Sequence, residues 1–379
     1  MKPGETYIRI GQRVEKTPAN EHGWKRVDFI DENETCVVVL GGNGTDNDVS
    51  ASGYAKHVVE LLEQYELDDK VNVYSVVYCD EAKEADYFMP ALLQKRSREQ
   101  LLSKYGRKDK KPISEKEKEF AREAEKLFGA NVLKPENKEI SDPEYIENLF
   151  EKTLLYRICE NGRKLSVDEA KKRVRKLNFV VHCHGAYVFF KLEELMQKKM
   201  AELGYLKKES EDIQKQLLCV AYAPYAPLGV SKSTMISFAS VKDDNVWHQN
   251  TFHKEIKKIN KFKGLKMSYF PDKLGDIFVV SSILKEDKPK SEHNFPNYIT
   301  PRLELSEDGE LFVRFSRNAV LGGVESSLSE TPLSDVRTLV CGKGGRLENS
   351  FEECLKNGQE VYAAVVRNAR IAAFYDHAK

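Results

Sequence analysis

The sequence predicts an α/β protein built on a mainly parallel sheet of about eight strands with helices on both faces. Two observations predict the sheet and a third its size. Short apolar runs rich in β-branched residues recur along the first 300 positions, and amphipathic stretches separate them. Strands apolar on both faces, alternating with helices, are the pattern of a parallel sheet covered on both sides. At 379 residues the chain is long enough to bury a substantial core.

The elements follow in order. Strands are expected at Tyr7–Ile10, Arg26–Ile30 and Cys36–Leu40. The third ends in Gly41-Gly42-Asn43-Gly44-Thr45, and a helix follows with Tyr54, Val58, Val59, Leu61 and Leu62 as its apolar face. That glycine-rich turn has neither the Lys-Ser/Thr ending of a P-loop nor a G-x-G-x-x-G spacing. Further strands are expected at Val71–Tyr78, Phe179–Val181, Leu217–Tyr222, Met235–Ala239 and Ile277–Val280. Two segments break the rhythm. Residues from about 80 to 142 are dense in charge and read first as a solvated helical insertion, with a cap over a site or a surface for a protein partner as the alternatives. From Tyr298 the pattern changes, and Leu303–Leu305, the turn Ser306-Glu307-Asp308-Gly309 and Leu311–Phe315 read as a hairpin. Val361–Val366 and Ile371–Phe374 read as further strands or a terminal helix. The expected organisation is therefore a domain over 1–300 carrying the insertion, with a β-containing extension over 301–379 packed on it.

Composition narrows the function classes. Lys plus Arg equals Asp plus Glu, at 60 each, so no overall field favours nucleic acid or acidic membranes. No apolar run approaches the roughly 20 residues of a membrane span. Seven cysteines form no CxxC pair, and buried reduced thiols are expected. The opening Met1-Lys2-Pro3-Gly4-Glu5 lacks the apolar core of a secretion signal. A cytoplasmic protein, or one secreted by a signal-independent route, is expected.

The stretch that carries chemistry is Phe179-Val180-Val181-His182-Cys183-His184-Gly185-Ala186-Tyr187. A strand-like run stops at a cysteine, two small residues follow, and a helical pattern continues through Leu192, Leu195 and Met196. A nucleophile on a sharp strand-to-helix turn needs this order, because small neighbours let the helix pack close. At the helix N-terminus the dipole favours a thiolate, which makes Cys183 the candidate nucleophile. His182 reads as a structural hydrogen-bonder, and His184 as lining a pocket or facing solvent. Side chains alternate across a strand and tetrahedral zinc needs further ligands, so no metal and no cofactor is expected.

In this arrangement the chain resembles the α/β-hydrolases, specifically around Cys183 and in element order over residues 6 to 300. The family pattern is small-x-nucleophile-x-Gly, and His182-Cys183-His184-Gly185 is similar to the cysteine version in the dienelactone hydrolase branch. Val181 departs from the family, which usually has Gly there. The resemblance implies an acid after a later strand, with Asp243 first and Asp244 second, in Val241-Lys242-Asp243-Asp244-Asn245-Val246. It implies a histidine after the last strand, for which His293 is the candidate and His248, His253 and His377 the alternatives. It also implies an oxyanion hole from the amide of His184 and the loop at Asn43 and Gly44. The activity implied is hydrolysis of an ester or thioester through an acyl-cysteine on a small-molecule or acyl substrate. The alternatives are acyl transfer and a non-catalytic member of the fold that binds proteins.

Overall fold

The computed structural model describes residues 6–13, 22–42, 45–78, 144–225, 231–240, 243, 246, 267–270, 276–280, 293–299, 307–330 and 333. The chain opens with β1 (Thr6–Arg13) and β2 (His22–Val27). β3 (Cys36–Leu40) leads to α1 (Asp48–Gln64), and β4 (Asn72–Tyr78) follows. Next come α2 (Glu144–Thr153), α3 (Leu155–Ile158), the short pair β5 (Cys159–Glu160) and β6 (Arg163–Lys164), and α4 (Val167–Arg175). β7 (Leu177–His182) and α5 (Gly185–Glu202) form the centre, followed by α6 (Lys207–Gln214), β8 (Leu218–Tyr222) and β9 (Thr234–Ser240). β10 (Met267–Phe270), β11 (Asp276–Val280), α7 (Phe295–Ile299) and α8 (Glu307–Ser329) complete the described elements.

Nine strands form one mixed sheet in the order β10-β11-β9-β8-β7-β3-β4-β1-β2. The six from β11 to β4 are parallel, while β1 pairs antiparallel with both β4 and β2 at one edge and β10 pairs antiparallel with β11 at the other. β3, β7 and β8 are buried along their whole length, which explains why their sequences lack polar alternation. Alternation still sorts their side chains between the two faces. Val38, Leu40, Phe179, Val181, Cys219 and Ala221 join a core with Leu149, Val174, Val188 and Met196 from the helices on one side. On the other side Asn178 donates to the Ser327 hydroxyl of α8 at 3.0 Å, and the His182 ring meets Tyr54 of α1.

The sheet differs from the sequence reading at its margins. β2 covers His22–Val27 where Arg26–Ile30 was expected. The chain after it turns at Asp31, whose carboxylate accepts from the amide of Asn33, and Phe29 is left exposed. The fully buried guanidinium of Arg157 fastens this turn by donating to the carbonyls of Asp31 (2.9 Å), Glu32 (3.2 Å) and Arg173 (2.6 Å).

The hairpin expected over 303–315 is corrected. Residues 307–329 form the long helix α8, and Leu303–Leu305 lie outside the described residues. The alternation Leu311-Val313-Phe315 mimics a strand locally. However, Phe315, Ala319, Val320 and Val324 are buried at helical spacing, and that longer period decides. α8 lies tight on the sheet: a β-carbon on Gly323 would stand 2.0 Å from the Leu218 side chain. The charged insertion and Val361–Val366 and Ile371–Phe374 lie outside the described residues. No described helix is long and apolar enough to cross a membrane.

Candidate active site

β7 is the fifth strand of the large sheet in chain order, and it ends at His182. Cys183 follows with φ of +50°, a left-handed conformation that non-glycine residues adopt at a cost. Three hydrogen bonds over-determine it. The Cys183 amide donates to the Tyr222 carbonyl (3.3 Å), and the Cys183 carbonyl accepts from Ala186 (3.1 Å) and Tyr225 (2.9 Å). His184 caps α5, so the sulfur stands beside the first turn of a helix. Close packing is provided by Gly185, where a β-carbon would lie 2.4 Å from the Leu40 carbonyl oxygen. Val181 is fully buried in the sheet core.

Of the four cysteines described, Cys183 alone is half-buried; Cys36, Cys159 and Cys219 are buried. Burial pushes the Cys36 thiol up to about 12, against the pull of Arg157. Burial, and then the charge of Glu193, hold Cys219 well above the ordinary thiol range.

Asp243 follows β9 and is buried, with its amide bonded to the Ser240 carbonyl at 3.1 Å. Its Oδ2 lies 2.7 Å from Nδ1 of His293 and accepts a longer bond (3.4 Å) from the Tyr298 hydroxyl. That hydroxyl in turn accepts from the Ser240 amide at 3.1 Å, so one tyrosine ties the strand end to the acid. Burial works against a charged His293 ring. The hydrogen bonds to Asp243 and Cys183, and the negative charge on both, outweigh it and raise the ring to about 10. Nε2 is buried and faces Cys183 at a separation just beyond a formed hydrogen bond.

Cys183 and His293 line one cavity of about 900 Å³ with Gly42, Tyr54, His57, His182, Tyr225 and Phe295. Gly42 packs closely against the site residues. A β-carbon there would stand 3.1 Å from Cys183 Cβ, 3.2 Å from the Tyr54 hydroxyl and 3.4 Å from His182 Nδ1. Burial, and to a lesser degree the charge on Cys183, raise the Tyr54 hydroxyl, which therefore keeps its proton.

The structure thus brings Cys183, Asp243 and His293 together, with the His184 amide beside them. Asn43, Gly44, Asp244, His248, His253 and His377 lie outside the described residues. His184 neither lines the cavity nor faces solvent; its ring is fully buried and stacked on Tyr187. His182 is a hydrogen-bonder as expected, but inside the site: its Nε2 lies 2.7 Å from the His293 carbonyl oxygen. Sequence reasoning missed Tyr54, Tyr225, Phe295 and Tyr298 as site residues. Tyr54 was legible only as an apolar helix position, and no spacing marks the other three. No group of three or more His, Cys, Asp or Glu suited to a metal ion occurs among the described residues. Neither a protein-family model nor a curated protein matches the chain.

Proposed function

We propose that this protein is a hydrolase of the α/β-hydrolase kind that cleaves an ester or thioester through an acyl-cysteine intermediate. One observation carries the reading. The His293 ring is held by Asp243 at Nδ1, carries a raised proton affinity, and shares a cavity with Cys183 on a strained strand-to-helix turn. The parallel run β4-β3-β7-β8-β9-β11, with the nucleophile, acid and base in that chain order, supports it further.

The sulfur of Cys183 attacks the acyl carbon, and the thiol proton resides on Nε2 of His293. Collapse of the tetrahedral intermediate breaks the bond to the leaving oxygen or sulfur, which takes that proton. Water then attacks the acyl carbon and gives a proton to His293. The carbon–sulfur bond breaks, the proton returns to Cys183, and a carboxylic acid leaves. Negative charge on the acyl oxygen develops beside the His184 amide at the start of α5. Asp243 orients the ring and stabilises its cation.

The test is turnover of short p-nitrophenyl esters and acyl thioesters, with mass spectrometry of the enzyme quenched during turnover. An acyl adduct on Cys183, and no turnover by Cys183→Ala, are expected. Undiminished turnover by Cys183→Ala would overturn the reading. Products formed with added alcohols or amines report whether the same intermediate also transfers its acyl group.

A further inference from the structure

His182 is buried, with 4 % of its surface exposed, yet it lines the cavity. Its ring lies among the rings of His293 (5.0 Å), Tyr54 (5.4 Å) and Phe295 (5.6 Å). Its two nitrogens have different fates. Nε2 lies 2.7 Å from the backbone carbonyl of His293. A carbonyl only accepts, so Nε2 carries the hydrogen and Nδ1 is left as a bare acceptor. Nδ1 is buried and has no hydrogen-bond partner among the described residues. It stands 3.4 Å from the position that a β-carbon on Gly42 would take, which Cys183 Cβ borders at 3.1 Å, and Gly42, His182 and Cys183 line the same cavity.

We infer that His182 is a positioning and specificity residue: Nε2–H fixes the segment that presents His293, and Nδ1 accepts a hydrogen bond from the substrate. The site therefore takes acyl groups with an N–H or O–H donor close to the scissile carbonyl. Two further observations agree. A buried acceptor left unpaired is costly, so a ligand that supplies the donor gains what one lacking it cannot. Burial and the nearby His293 lower the His182 ring to about 3, which keeps Nδ1 an acceptor throughout the neutral range.

The inference rests on the proposed Cys183–His293 pair, and its test needs no turnover. Alkylation of Cys183 by chloroacetamide is compared with alkylation by chloroacetone, which has a methyl in place of the amide nitrogen. Each rate is divided by that with glutathione. Wild type should favour chloroacetamide by about tenfold, the value of one hydrogen bond to a buried acceptor. His182→Gln places an amide nitrogen where Nε2 was and nothing where Nδ1 was, so it should lose the preference. His182→Leu should lose the preference and slow both reagents at least about fivefold.

A preference that survives in His182→Gln overturns the acceptor role. A chloroacetone rate unchanged in His182→Leu overturns the positioning role. If wild type alkylates as expected but turns over no ester or thioester, the hydrolase reading fails and the role of His182 stands.

Discussion

Nδ1 of His293 and Oδ2 of Asp243 meet at 2.7 Å although 50 positions of chain separate them. The pair sets a pH dependence. Burial alone lowers the ring, but Asp243 and Cys183 raise it from 6.5 to about 10. Across that window the folded protein holds a proton that the unfolded chain releases. The stabilisation is complete below about pH 6.5 and is lost as pH climbs through about 10. Urea midpoints measured at pH 6, 8 and 10 should fall in that order, and the decline should flatten in Asp243→Asn. A midpoint that rises with pH would contradict the assignment.

Thiol accessibility gives a second outcome. Native protein treated briefly with iodoacetamide should be labelled at Cys183 before Cys36, Cys159 or Cys219, which are buried. Peptide mapping checks the order. Labelling of Cys183 after the buried three would remove it as a nucleophile.

The three groups should act as a unit. Cys183→Ala and His293→Ala should each remove acyl-ester turnover, and the double variant should be no worse than either single one. Asp243→Asn should retain more, because the acid orients the ring and transfers no proton itself. Asp244→Asn is the control and should leave kcat unchanged.

Much of this was legible because its signals are local. An apolar run stopping at Cys183 before two small residues announces a strand, a turn and a helix within nine positions. β3 fell within its expected bounds because five consecutive buried residues leave no ambiguity of phase. α8 was misread because its first described turns carry a period of two by accident, and only burial beyond Phe315 reveals the helix. The groups that support the Asp243–His293 pair were illegible for another reason. Tyr298 reaches Asp243, and His182 the His293 carbonyl, only through folding, and their roles depend on a hydroxyl and a ring nitrogen whose positions no spacing encodes.

Two glycines should respond in opposite ways. Ala at Gly42 reaches into the cavity near Cys183 and Tyr54, so Tm should hold within a few degrees while turnover falls. Ala at Gly185 meets the backbone carbonyls of Leu40 and Gly41 at 2.4 and 2.8 Å, which cannot retreat. It should cost at least about 2 kcal/mol by urea unfolding.

Glu193 offers a test remote from the chemistry. Its Oε1, buried on α5, accepts from the Ser231 hydroxyl (2.7 Å) and from the amides of Lys232 (3.0 Å) and Ser233 (2.8 Å). Glu193→Ala strands those donors and should cost about 3 kcal/mol. Glu193→Gln retains an acceptor oxygen and should cost less than half of that in the same unfolding measurement.

Among the described residues, α8 reaches the site through intermediaries. The Ser316 carbonyl accepts from the Tyr222 hydroxyl at 2.7 Å, and the Ser316 hydroxyl donates to the carbonyl of Tyr298, whose own hydroxyl reaches Asp243. During synthesis the sheet strands through β9 emerge first, and domains begin to fold as they emerge. At that stage the nascent chain presents Cys183 on its turn without His293 and without the helix that steadies its surroundings. The Cys183 thiol therefore meets His293 only after the strands through β9 have emerged, so a chain arrested before His293 would carry the candidate nucleophile without its candidate base.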